Sequence, residues 1–333
     1  MSQRPIVLLT NPIDPVAEQR LAERSEVRRA SAVDADTLRR ESASADGLIV
    51  RAPLPDDIFA GATRLRAVVR HGAGVDMIPI DRATEAGVPV ANCPGVNAVT
   101  VAQFAIMQML NLARRLPKIT ARLKSGEWHE ARALADEAED LTGKCVGIVG
   151  MGAIGTEIAR IARDGLQMRV LGHRRRLAEI GPEAEPAALD VLLSQSDFVV
   201  LACPLTDETR GLIDAQRLSS MKASAFLVNV SRGAVVDQRA LTASLRERRI
   251  AGAALDVFET QPLPLGSELL ALDSVIATPH LAGITKQSMR RMSELAVDQI
   301  LQMLDGQPPS HLVNPEVLPA ASERRARLLR LSN

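Results

Sequence analysis

The chain has 333 residues, 46% hydrophobic and 24% charged, which is too long for one typical core and ordinary for a globular protein in water, so two domains are expected. Lys plus Arg and Asp plus Glu balance at 40 each, so no overall field favours nucleic acid or an acidic membrane as partner. The apolar run in "MSQRPIVLLTNP" is too short for a secretory signal, and no window reaches the ~18 apolar residues of a membrane span; a cytoplasmic protein is expected. In chain order, the short apolar runs "PIVLLT", "DGLIVRA", "RAVVRHG" and "VPVANC" alternate with polar helical stretches such as "PVAEQRLAERS" and "DRATEAG". This is the rhythm of β-α units in a parallel sheet, and it ends near Asn92. A long helix follows from Ala98 to about Arg115, with Val101, Ala102, Ala105, Ile106, Met109, Leu110 and Leu112 on a broad apolar face. A second series runs through "CVGIVG", "MRVLG", "FVVLACP", "AFLVNV", "IAGAALDVF" and "VIATPH". A last helix, roughly Thr285 to Leu304, is long enough to cross back to the first domain. The tail "ERRARLLRL" reads as a solvated amphipathic end. Cys93, Cys145 and Cys203 are widely spaced beside apolar or proline-rich sequence, as buried reduced thiols are, and without CxxC or HxxxH pairs no metal site is expected.

The densest local chemistry is "CVGIVGMGAIGTEIAR". A strand ending at Gly150 meets a helix beginning near Ala153, and Gly150, Gly152 and Gly155 form GxGxxG between them. The first glycine suits a tight turn, the second a close approach to a pyrophosphate, the third the packing of helix on strand. The N–H groups of Ala153, Ile154 and their neighbours at the helix start offer positive potential to phosphates. About 20 residues on, where an NAD-binding fold carries an acid for the ribose 2′-hydroxyl, the sequence reads "GHRRR". The acid is missing, and His173, Arg174, Arg175 and Arg176 stand there instead. Arginine's planar fork suits a 2′-phosphate, so NADP(H) is expected, with Arg174 the first-choice ligand and NAD the alternative.

Six motifs in order, "VVRHGAGVDMIPI", "GMGAIG", "CPLTDETRGLI", "NVSRGAVVD", "AGAALDVFETQPLP" and "TPHLAGIT", resemble the D-isomer-specific 2-hydroxyacid dehydrogenases over nearly the whole chain. The resemblance implies an α/β protein of two doubly wound parallel-sheet domains facing each other across a cleft, with a Rossmann cofactor domain at 98–285 inserted in a flavodoxin-like substrate domain of 1–97 and 286–333. It implies a homodimer joined through the cofactor domains, acting on a small 2-keto or 2-hydroxy acid such as glyoxylate or hydroxypyruvate.

Carried over by motif, Arg232 resembles the arginine that holds the substrate carboxylate and polarises the carbonyl, and His280 the acid/base that protonates the carbonyl oxygen during reduction. Both roles are chemically apt, because hydride arriving at a keto carbon leaves negative charge on oxygen. His71, Gly72, Ala73 and Gly74 resemble the carboxylate-binding loop, with Arg51 and Asn97 as further substrate-side residues. Asp256 resembles the residue that receives the nicotinamide carboxamide, while Cys203, Pro204, Thr209 and Gly283 lie in loops bordering the cofactor. Two positions depart from the family. Gln103 stands where glutamate is common, and Gln261 replaces the glutamate that partners the histidine, leaving open whether Gln261 or Glu259 takes that part. Formate dehydrogenases of the same superfamily also use glutamine there, so formate oxidation is one alternative; a nucleotide-sensing corepressor on the same fold is another.

Overall fold

The computed structural model describes the backbone of residues 4–331 and the side chains through residue 328. The expectations for the first three residues, and for the last side chains of the tail, lie outside the described residues.

Strands β1 (Ile6–Leu9), β2 (Glu26–Arg29), β3 (Gly47–Val50), β4 (Ala67–Arg70) and β5 (Val90–Ala91) form one sheet in the order β2-β1-β3-β4-β5, parallel throughout. This is the flavodoxin-like order. Between the strands run helices α1 (Pro15–Ala22), α2 (Ala35–Ser42), α3 (Ile58–Gly61) and α4 (Ile80–Glu85). The run "GLIV" of β3 is buried at every position, as a strand covered on both faces must be. β2, "EVRR", has no apolar run because it is an edge strand whose charges face water.

The second unit begins with α5 (Ala98–Ala113), α6 (Leu116–Lys124) and α7 (Trp128–Ala133). It continues with β6 (Cys145–Val149), α8 (Ala153–Arg160), β7 (Arg169–His173), β8 (Glu185–Pro186), α9 (Leu189–Gln195), β9 (Phe198–Leu201), α10 (Ala215–Ser220), β10 (Phe226–Asn229), α11 (Gln238–Arg246), β11 (Gly252–Leu255) and β12 (Val275–Ala277). The sheet order β12-β11-β10-β9-β6-β7-β8 has its switch point between β6 and β9, the Rossmann arrangement, which opens a crevice at the carboxyl ends of those strands. Val101, Ala105 and Met109 of α5 share one core with Ile158 and Ala159 of α8. Leu110 departs from the expected buried face: it is exposed, in the helical row of Val99, Gln103 and Met107, all exposed as well.

The chain then rejoins the first unit through α12 (Lys286–Leu304), whose Ala296, Val297 and Ile300 fill the core under β1, β3 and β4. Thr285 caps this helix with a reciprocal bond to Ser288. The first unit comprises residues up to Asn97 and from Ile284, so the return begins two residues before the expected boundary. In α13 (Leu318–Leu331) the expectation of a solvated tail fails at Arg324. Its half-buried guanidinium donates to the carbonyls of Ala62, Thr63, Leu65 and Ala86 and so docks the helix. All three cysteines are free and buried. Among the described residues, no helix is long and apolar enough to cross a membrane.

Candidate active site

The turn after β6 fulfils the separate demands made of its glycines. Gly150 has φ +105°, and a Cβ there would lie 2.4 Å from the Cys203 nitrogen, so the turn presses on the end of β9. A Cβ on Gly155 would fall 2.1 Å from the Gly150 carbonyl oxygen, whereas one on Gly152 would meet nothing within 4 Å. The open space is therefore in front of Gly152, at the start of α8, where no side chain caps the helix and Ala153 and Ile154 present their N–H groups. These features fit a dinucleotide pyrophosphate.

β7 delivers "HRRR" beside that turn, since the Gly150 N–H donates to the His173 carbonyl at 2.8 Å. The His173 ring pairs through Nδ1 with the Ala187 carbonyl. The three arginines are not unpaired cations. Arg174 and Arg176 each contact a different oxygen of Glu179 at 2.7 Å, and Arg175 lies 3.6 Å from Glu208. An acid thus stands at this place after all, five residues later than the usual one, and spacing gave no sign that it folds back. In the neighbouring loop the Thr209 hydroxyl donates to the Pro204 carbonyl at 2.7 Å and accepts from the Thr206 N–H, closing the segment on itself. Burial pushes the Cys203 thiol up to about 11, so it is an inert wall group.

Arg232 follows β10. The Asn229 amide donates to its carbonyl, and its own guanidinium donates to the Ser231 carbonyl at 2.8 Å. Sequence reasoning passed over Gly233, where a Cβ would sit 1.9 Å from the Phe258 carbonyl carbon. Only glycine lets the Arg232 loop close against the segment after β11. In that segment the Gln261 Oε1 pairs with the His280 Nδ1 at 3.0 Å, while the Gln261 Nε2 donates to the Phe258 carbonyl. The second bond turns the amide oxygen toward the ring, which puts the proton on Nδ1. Glu259 is occupied elsewhere, in a reciprocal pair with the backbone and side chain of Gln238. Gln261 is therefore the residue that meets the His280 Nδ1.

Asp256, the residue expected to receive a carboxamide, is built into its own loop. It is 2% exposed, and its carboxylate accepts from the Thr278 hydroxyl and from the N–H groups of Leu281 and Ala282. Its carbonyl accepts the His280 N–H at 2.8 Å. Asp256 thus builds the loop that carries His280, whose φ of +54° is a left-handed conformation that needs such support. Gly283 closes this unit.

In the first unit the carbonyls of the loop after β4 are taken one by one. Arg70 donates to those of His71 and Gly74, the Cys93 N–H to that of Gly72, and Asn92 to that of Ala73. The N–H groups of His71 and Gly72 are also taken, by the carbonyls of Val50 and Arg70, so what the loop can offer an anion is confined to Ala73 and Gly74. The His71 side chain does not join this loop surface. Its ring is buried and pairs with Ser293 on α12 at 2.8 Å, and burial, then the charges of Arg51 and Arg70, lower its pKa to about 3. Arg51 braces the Pro12 carbonyl and the Met289 sulfur. Asn97 keeps a buried amide oxygen with no hydrogen-bond partner.

The family model described as "D-isomer specific 2-hydroxyacid dehydrogenase, NAD binding domain" matches residues 106–282. The chain is 40% identical over 270 residues to a glyoxylate reductase of Korarchaeum cryptofilum, covering 80% of this chain and 81% of that one. It is 40% identical over 280 residues to glyoxylate/hydroxypyruvate reductase B of Pectobacterium carotovorum, covering 83% and 88%. Among solved structures, the NADPH-dependent glyoxylate/hydroxypyruvate reductase of Sinorhizobium meliloti, in complex with NADP and malonate, superposes with a TM-score of 0.83 at 30% identity over 95% of this chain and 98% of that one. A match to more than half of the chain, together with these relatives, makes the chain a member of the D-isomer-specific 2-hydroxyacid dehydrogenase family.

Proposed function

We propose that the chain is an NADP(H)-dependent reductase of small 2-keto acids, glyoxylate or hydroxypyruvate, forming glycolate or D-glycerate, with NAD(H) as a second cofactor. The observation that carries this reading is the convergence of Arg232 and the Gln261–His280 pair beyond the carboxyl ends of the adjacent strands β10, β11 and β12. The turn at Gly150 to Gly155 and the N-terminus of α8 would hold the pyrophosphate, and Arg174 and Arg175 the adenosine end. When bound, the nicotinamide supplies the hydride. Arg232 orients the 2-keto acid through its carboxylate and stabilises charge on the carbonyl oxygen. His280, protonated on Nε2, donates to that oxygen, and Gln261 holds the ring in the productive tautomer. The loop at Gly72, Ala73 and Gly74 is assigned to the substrate carboxylate. Asp256 acts by positioning His280.

A cytoplasmic homodimer is the working form, supported by exposed apolar residues on the cofactor unit: Val99, Met107, Leu110, Leu116, Leu123 and Trp128. Following NADPH absorbance over a panel of 2-keto acids, alongside formate with NADP, tests the reading. Turnover of glyoxylate or hydroxypyruvate is expected. Activity confined to formate would establish the oxidase alternative, and tight nucleotide binding without any turnover would establish the sensing one.

A further inference from the structure

We propose that Glu179 sets the cofactor preference of the nucleotide unit, its carboxylate standing on the arginine pair when no 2′-phosphate is bound and giving way when one is. The proposal rests on the reading that Arg174 meets the phosphate. Both oxygens of Glu179 are engaged, one by Arg174 and one by Arg176, each at 2.7 Å, and its backbone carbonyl accepts from Arg174 as well. The short turn Leu177–Glu179 after β7 folds the acid back onto the arginines that precede it. Two guanidinium groups gripping separate oxygens of one anion is the pattern by which arginines hold a phosphate. A 2′-phosphate would present more charge and more acceptor oxygens to the same donors, and it cannot share them with the carboxylate.

Two consequences follow for affinity. NADP(H) binding must break both ion pairs and leave a carboxylate near the phosphate, so Glu179 weakens it. NAD(H), in contrast to the phosphorylated cofactor, brings no anion to the ribose and leaves both ion pairs intact, so Glu179 leaves its binding nearly unchanged. The side chains of Arg174 and Glu179 are 36% and 37% exposed and that of Arg176 is 72% exposed, so solvent screens these pairs and the effect is modest.

The test is calorimetric binding of adenosine 2′,5′-bisphosphate and of 5′-AMP to the unmodified protein, Glu179→Gln and Glu179→Asp. Glu179→Gln should bind the bisphosphate about three- to tenfold more tightly, the range expected for losing two partly exposed ion pairs, and 5′-AMP within about twofold of unmodified. Glu179→Asp, which restores the charge on a shorter arm, should fall between the two. Unmodified protein that prefers the bisphosphate, with Glu179→Gln no tighter, would overturn the role of Glu179 alone. If neither protein distinguishes the two nucleotides, the arginine reading falls and the proposal with it.

Discussion

Gln261 carries the sharpest difference between this chain and the glutamate pattern of its family. Its amide orients the His280 ring without supplying a negative charge. Gln261→Glu would stabilise the imidazolium, so the protonated acid needed for reduction persists to higher pH. The fall of kcat/KM with rising pH should then move upward by about one to two pH units, provided that chemistry limits the rate. Superimposable pH profiles would remove Gln261 from proton transfer. Arg232→Lys keeps a charge but loses the planar two-point grip. kcat/KM for glyoxylate should fall at least about tenfold, the loss of one charge-assisted contact, while the NADPH dissociation constant stays unchanged. Near-normal turnover would make Arg232 structural. His71 gives a stability prediction instead. Its pKa is lowered to about 3 in the fold against about 6.5 unfolded. Between those values the unfolded chain binds the extra proton, so stability falls as pH falls through that window, by about 2 kcal/mol at pH 5. His71→Gln should lose markedly less between pH 7 and pH 5 in urea unfolding, and equal losses would contradict the buried neutral ring. Arg232 and His280 were legible because they sit inside motifs, whereas the turning of His71 and Asp256 into the protein was not, since a motif names a residue without giving its direction.

The strand, turn and helix around GxGxxG separate packing from binding. Gly155→Ala drives a methyl against the Gly150 carbonyl, 2.1 Å from the added carbon, and should destabilise the cofactor unit by roughly 1–3 kcal/mol. Gly152→Ala adds its methyl to open space. It should leave thermal unfolding of the apo protein within about 0.5 kcal/mol while weakening NADPH binding by an order of magnitude or more. Thermal unfolding and cofactor titration of the pair check this, and an equally stable Gly155→Ala would show that the turn has room to relax. The interior strands were readable because a parallel strand covered on both faces must be a continuous apolar run. β2 and the two-residue β8, "EP", escaped because edges carry charge and proline in place of that run. The close approach of Gly233 to Phe258 was equally hidden, because it joins two segments far apart in sequence.

Over the full chain, two alternating β-α series with a long helix between them pointed to two doubly wound sheets, and the sheet orders are those of a flavodoxin-like and a Rossmann unit. What the pattern could not carry was the tertiary use of polar groups. The "ERRARLLRL" tail reads as solvent-facing until Arg324 is seen to satisfy four backbone carbonyls, and "GHRRR" reads as bare cations until Glu179 folds back. Charge composition is blind to such pairings, because it records how many ions there are and not which of them meet. The reductase reading has a stereochemical consequence that neither a formate oxidase nor a nucleotide sensor shares. Hydroxypyruvate is incubated with NADPH and the unmodified protein, and the glycerate formed is resolved by chiral chromatography. D-glycerate alone is the predicted product; L-glycerate, a racemate, or turnover of neither hydroxypyruvate nor glyoxylate would contradict the account.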